Sequence, residues 1–186
     1  MTFAFRLATV LALTLGVCEI GATLADDLRS RDSAQRVAEA SGQAPNFTGI
    51  SNWLNSSPLN ISDLRGKVVM VNFWTYGCYN CVNTLPHVTK LHAKYKDKGL
   101  VIVGVHTPEF PFERSTSNVQ AALKRHGIEY PVAQDNDSAT WKAYRNRYWP
   151  AQYIVDQSGK IVYFHAGEGA YDEIDRTIQN LLKVSS

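Results

Sequence analysis

The 186-residue chain lacks several features that would assign a protein at once. Three cysteines are too few for a disulfide-stapled scaffold. No apolar run reaches the ~20 residues that a spanning helix needs. Nineteen Lys and Arg stand against seventeen Asp and Glu, a net charge of +2, and the basic residues are scattered. The electrostatic footprint of a nucleic-acid-binding protein is therefore missing, and so is any charged tail. There is no internal repeat and no low-complexity tract. What the chain has is 45% hydrophobic and 19% charged residues, enough apolar matter for a core, which excludes a disordered chain. The length suits one domain with a short appendage.

Residues 1–25 read as a secretory signal. Arg6 supplies the positive start, an apolar stretch runs from Leu7 to Val17, and Thr23-Leu24-Ala25 offers small residues at the cleavage positions. A lipobox reading of Leu15-Gly16-Val17-Cys18 competes, with Val17 a poor fit before the cysteine. Removal of residues 1–25 also removes Cys18. An exported chain would then keep two thiols, Cys78 and Cys81, as a lone CxxC pair. Residues 26–44 are polar and are expected to form a flexible arm, with the domain running over 45–186. Turn residues around short apolar pieces in 45–65 predict a small leading hairpin.

Further on, continuous apolar runs alternate with amphipathic stretches. Lys67–Trp74 and Leu100–His106 read as buried central strands. Residues 79–97 carry Val82, Leu85, Val88 and Leu91 at helical spacing, with Pro86 inside the pattern and Gly99 after it. A helix over 117–126, a short strand over 130–133 and a short helix over 138–145 follow. Two strands joined at Gln157-Ser158-Gly159 form a hairpin, and 171–184 is a closing helix. This order predicts an α/β fold, a mixed central sheet flanked by helices.

Gly77-Cys78-Tyr79-Asn80-Cys81 lies where a strand ends and a helix begins. Cys78 is placed at the helix start, where free N–H groups and the positive dipole end favour a thiolate. Cys81 lies one turn on and is more buried. That pair suits thiol–disulfide exchange, with Cys78 attacking and Cys81 resolving the mixed disulfide. A zinc site needs a second ligand pair that the sequence does not offer at ligand spacing, so no metal is expected. A purely structural disulfide closing so short a loop adds little stability.

The segment Phe73-Trp74-Thr75-Tyr76-Gly77-Cys78-Tyr79-Asn80-Cys81, with Pro86 beyond it, resembles the active site of thioredoxin-like proteins. With Leu64–Val69, Gly104-Val105-His106-Thr107-Pro108-Glu109-Phe110 and Tyr148-Trp149-Pro150-Ala151-Gln152-Tyr153, the pattern is similar to the exported TlpA/ResA (redoxin) type, and most of all to the thioredoxin-like domain of DipZ proteins. The resemblance spans about residues 45–184. It implies a thioredoxin fold with an inserted strand–helix unit around 112–146. Pro150 is then the cis-proline that faces the dithiol, and the backbone beside it pairs with an extended substrate. Trp74, Tyr79, Asn80 and Trp149 become candidates for substrate docking. In the thioredoxin pattern a buried aspartate precedes the first cysteine by six residues. Here that position is Asn72, which takes no proton; the resemblance to the TlpA/ResA type, which holds an acid near the dithiol at the place of Glu109, makes Glu109 the candidate base for Cys81. A solvated loop carboxylate is the alternative for Glu109, and a structural histidine is the favoured reading of His106.

The function expected from these readings is an exported thiol–disulfide oxidoreductase, without a cofactor and soluble after signal cleavage. Its partners would be exported proteins carrying disulfides and a membrane-bound thiol–disulfide electron donor, and it would act as a monomer. Oxidase or isomerase activity and a Cu(I)-binding CxxC module are the rivals. A peroxiredoxin needs a proline where Val71 stands.

Overall fold

Every residue of Val68–Trp74 is buried, which marks the centre of the sheet. The computed structural model describes residues 42–184, and seven strands fall within them: β1 (Gly42–Gln43), β2 (Asn52–Leu54), β3 (Val68–Trp74), β4 (Leu100–His106), β5 (Val132–Gln134), β6 (Ala151–Val155) and β7 (Lys160–Ala166). They form one mixed sheet in the order β1-β7-β6-β3-β4-β5-β2. β3, β4 and β5 run parallel, and the remaining pairings are antiparallel. The parallel strands need crossovers, supplied by α1 (Tyr79–Tyr95) and α2 (Thr116–Arg125). A short α3 (Ala139–Ala143) leads towards β6, and α4 (Tyr171–Leu182) closes the described chain.

Alternation along β3 divides the core in two. Val68, Met70 and Trp74 pack with α1, α2 and α4 through Leu85, Val88, Val119, Leu123, Ile174 and Ile178. Val69, Val71 and Phe73 pack on the other face with Phe47, Tyr144 and Tyr153. Both crossover helices lie on one face, as right-handed connections to successive parallel strands require. α1 and α4 are tied together where Asp175 accepts from Lys94 Nζ at 2.9 Å and from the Tyr95 hydroxyl at 2.5 Å.

The leading hairpin expected over 45–65 does not form. β1 pairs with β7 and β2 with β5, at opposite edges of the sheet. Each short strand covers an edge that would otherwise present unpaired N–H and C=O groups. The apolar pieces between them, Phe47 and Ile50 among others, pack on the second face of the sheet. The sheet already includes Gly42–Gln43, ahead of the expected domain start at Pro45. The signal over 1–25 and most of the arm over 26–44 lie outside the described residues. Among the described residues, no helix is long and apolar enough to cross a membrane.

Gly104 shows how tightly the α1 face is packed. A Cβ at this β4 position would lie 3.0 Å from Trp74 Nε1, 3.0 Å from Tyr130 Cε2 and 3.3 Å from Val132 Cγ2. Both rings are fully buried and have nowhere to retreat. Gly104→Ala is expected to lower stability by about 1–3 kcal/mol through overpacking, read as a lower urea midpoint at unchanged slope.

Candidate active site

The carboxyl ends of β3, β4 and β5 meet at one rim of the sheet, the place where α/β proteins bind ligands. Trp74 closes β3 and is in register with His106, which closes β4. Cys78 follows as the N-cap of α1. Its Sγ accepts the Cys81 N–H at 3.4 Å, so the sulfur occupies the position that a serine or aspartate oxygen usually takes at a helix start. Cys78 is half-buried and Cys81 buried.

The two sulfurs are driven apart in acidity. The Cys81 thiol, donating to Cys78, is the largest influence on Cys78 and lowers its pKa; with the Cys81 and Asn80 backbone N–H groups it outweighs burial and the charge of Glu109, and the value falls to about 7. For Cys81, burial comes first and pushes the pKa strongly up. The hydrogen bond to Cys78 adds to this, and the Thr75 backbone opposes it. One accessible, acidic thiol therefore sits beside one buried thiol that holds its proton.

The Trp149–Pro150 peptide is cis. Ala151 pairs with Phe73 across β6 and β3, so the register sets Pro150 beside Trp74, at the end of β3 from which the dithiol loop departs. Trp149 is half-buried, packs tilted on Trp141 with ring centroids 4.1 Å apart and donates from Nε1 to the Thr107 carbonyl at 3.0 Å. Tyr79 and Asn80 are exposed between the cysteines. Trp74 is not a docking residue: its side chain is 0% exposed in the core and edge-on to His106. Its place beside the thiols makes it a docking candidate, but alternation turns Trp74 inward against α1, as a packed aromatic at a strand end. Of the aromatic residues at 141–149, Tyr144 is buried in the core and Tyr148 is exposed.

Asn72 is buried, and its Oδ1 accepts from Gln152 Nε2 at 3.1 Å. A neutral amide pair thus fills the position where the thioredoxin pattern has an ionisable carboxyl. Glu109 is exposed, and its charge acts on both sulfurs. His106 is wholly buried, with Nε2 3.3 Å from Thr75 Oγ1 and Tyr76 stacked on its ring at 5.6 Å. Burial lowers its pKa to about 4, against the opposing charge of Glu113, so it is neutral at physiological pH.

Glu113 is the residue that sequence reasoning missed. Its side chain is 0% exposed. Oε1 accepts the Gly77 N–H at 2.8 Å, while Oε2 accepts those of Glu109 at 2.6 Å and Phe110 at 2.8 Å. One carboxylate therefore fastens the β4–α2 loop to the residue before Cys78. Gly77 permits the approach, because a Cβ there would lie 2.5 Å from Oε1. A glycine directly before the CxxC was the one sequence signal of this close contact. Among the described residues there is no group of three or more His, Cys, Asp or Glu side chains that could hold a metal.

This sheet order, with a CxxC opening the helix after the central strand and a cis-proline at the same rim, defines a thioredoxin-like protein. The chain belongs to the Redoxin family, whose model matches residues 39–181. Protein DipZ of Mycobacterium tuberculosis is 46% identical over 147 residues, covering 77% of this chain and 21% of that protein. The chain thus spans about a fifth of the length of its DipZ relatives. Thiol-disulfide oxidoreductase YkuV of Bacillus subtilis is 28% identical over 74% of this chain and 93% of its own length. A solved thioredoxin-like protein in its oxidised form matches with a TM-score of 0.71 and 28% identity, over 78% of this chain and 99% of that one.

Proposed function

We propose that this thiol–disulfide oxidoreductase of the redoxin type acts as an exported reductase of protein disulfides. The observation that carries the reading is the division of labour between the sulfurs, Cys78 accessible with a pKa near 7 and Cys81 buried and protonated.

The Cys78 thiolate attacks one sulfur of a substrate disulfide. A Cys78–substrate S–S bond forms, the substrate S–S bond breaks, and the departing thiolate takes a proton from solvent. Cys81 then gives up its proton and attacks Cys78 Sγ. The Cys78–Cys81 disulfide forms, the Cys78–substrate S–S bond breaks, and the second substrate sulfur leaves as a thiolate that takes up a proton. Two electrons have passed from the dithiol to the substrate, and the protons are exchanged through solvent and the acceptor of the Cys81 proton.

Cys81 needs a proton acceptor for the second step, because burial holds its proton. The Asn72–Gln152 amide pair does not serve. Glu109 takes that role, directly or through water. The backbone beside Pro150 pairs with the extended substrate segment, and the proline keeps metal ions from the thiols. Tyr79, Asn80 and Trp149 border the docking site. A membrane-bound thiol–disulfide donor returns the electrons.

Trapping tests this reading. Cys81→Ser removes the resolving sulfur but keeps a hydroxyl able to donate to Cys78. Expressed in the native compartment, it is expected to accumulate mixed disulfides with exported proteins, released by reductant and absent from Cys78→Ser. If no adduct accumulates at Cys78, the exchange role fails.

A further inference from the structure

We propose that Phe110 and Phe112, with Tyr79, form an apolar rim that selects polypeptide disulfides whose cysteines are flanked by large apolar side chains. The inference rests on the exchange reading above and names the substrate class for that site.

Among the described residues the exposed large hydrophobic side chains are Tyr79, Phe110, Phe112 and Tyr148, at 77%, 46%, 58% and 48% exposure. Scattered single residues of this kind need no explanation, but Tyr79, Phe110 and Phe112 adjoin the dithiol turn. Tyr79 follows Cys78 directly. Phe112 Cζ lies 3.8 Å from where a Cβ on Gly77 would stand, so its ring edge lies beside the residue before Cys78. Phe110 lies parallel to Phe112, with centroids 5.7 Å apart and planes 3° apart. Tyr148 stands two residues before Pro150.

The two phenylalanines are held in place. The Phe112 carbonyl accepts from the Tyr76 hydroxyl at 2.9 Å and from Asn118 Nδ2 at 3.2 Å. The Phe110 N–H is taken by the buried Glu113 carboxylate. A loop backbone anchored in this way presents its apolar rings from a fixed platform, which lowers the ordering cost when they are covered.

The chemistry at Cys78 fixes the occupant. A mixed disulfide on its Sγ tethers a polypeptide to this spot. An extended chain advances ~3.3–3.6 Å per residue, so the side chains one and two positions from the substrate cysteine fall within about 7 Å of it. Within that reach are Tyr79, which follows Cys78 in the chain, and Phe112, whose ring edge lies beside Gly77 with Phe110 parallel to it. Serine or charged residues there would lose hydration and gain no partner, whereas Phe, Leu or Met would bury apolar area against the rings. The rim therefore favours segments that fold into a core once mature, namely disulfides in incompletely folded chains.

The test compares two synthetic peptides, each closed by one disulfide and of equal net charge. One carries Phe beside both cysteines and the other Ser. Wild-type protein is expected to reduce the Phe peptide with kcat/KM about tenfold higher, the effect of partly burying one ring. In F110S/F112S the ratio is expected to fall to about twofold or less. A ratio taken on one preparation does not depend on the fraction folded. Equal rates in wild type, or a preference that survives in F110S/F112S, overturn the rim. Failure of wild type to reduce either peptide or hydroxyethyl disulfide overturns the exchange reading itself, a different outcome from exchange without preference.

Discussion

Alkylated across a range of pH, the reduced protein is expected to lose Cys78 with a midpoint near pH 7, while Cys81 stays unmodified up to about pH 9. The direction follows from the groups around each sulfur. Cys78 is stabilised as a thiolate by the Cys81 thiol and by backbone N–H groups at the start of α1, with a pKa of about 7. Its reactivity is therefore full above pH 7 and falls as the pH drops through 7. Cys81 is pushed the other way by burial and by its neighbour, so its reactivity lies on the order of a hundredfold lower or more throughout this range.

A single rate would be a poor test. At pH 7 a thiol of pKa 7 is about half ionised, against about 3% for an ordinary thiol of pKa 8.5. A less basic thiolate is also a weaker nucleophile, by about fivefold over that interval. The two effects leave only about a threefold advantage at pH 7 and about sixfold at pH 6. The midpoint carries the information. Cys81→Ala removes the largest cause of the lowered pKa and is expected to move the midpoint up; Cys81→Ser, with a donating hydroxyl, moves it less. Glu109→Gln removes a charge that opposes the thiolate and should move the midpoint down. A wild-type midpoint near 8.5 would remove the basis for Cys78 as the attacking sulfur.

Much of this site can be read along the chain because its signals are local. The helix over Tyr79–Tyr95 follows from the spacing of Leu85, Val88 and Leu91, and β3 and β4 from apolar runs bounded by glycines. The N-cap position of Cys78 follows from a strand ending just before a helical pattern. The resemblance of the Trp149-Pro150 segment to the family's cis-proline agrees with the cis bond. What escaped depends on contacts between distant segments. Asn52-Trp53-Leu54 carries no mark that its partner is Gln134-Ala133-Val132 rather than the preceding residues. Trp74 read as a docking candidate because it flanks the dithiol, and its burial shows only once the helix that covers it is placed. Glu113 lies among Phe110, Pro111, Phe112 and Arg114, where a carboxylate is ordinarily solvated. Its burial becomes visible only once Gly77, thirty-six positions away, is brought against it.

Glu113 carries the second large effect. Glu113→Ala is expected to lower stability by about 2–4 kcal/mol and to slow disulfide exchange by about tenfold or more under conditions where the variant is still folded. Each hydrogen bond to the carboxylate is charge-assisted, worth about 1.5–3 kcal/mol in a protein, and Glu113 makes three. Their sum is not the loss. Gly77, Glu109 and Phe110 are exposed residues, so water can replace the acceptor in part, and the variant no longer buries a carboxylate. With a slope of about 2 kcal/mol/M, the urea midpoint should fall by about 1–2 M. The exchange rate should fall because Gly77 sets the entry into the turn that presents Cys78, and the same carboxylate holds the Glu109 backbone in place. A misplacement of about 1 Å at a reacting group costs rates of this order. Glu113→Gln separates charge from shape. Its amide fills the same volume, but its Nε2 faces backbone N–H groups that it cannot accept. The variant is therefore expected to lose stability and rate in the same direction as Glu113→Ala. Wild-type stability and exchange in Glu113→Gln would show that shape alone holds the loop. Lost stability with an unchanged exchange rate would confine Glu113 to the fold and leave the dithiol turn positioned by α1 alone.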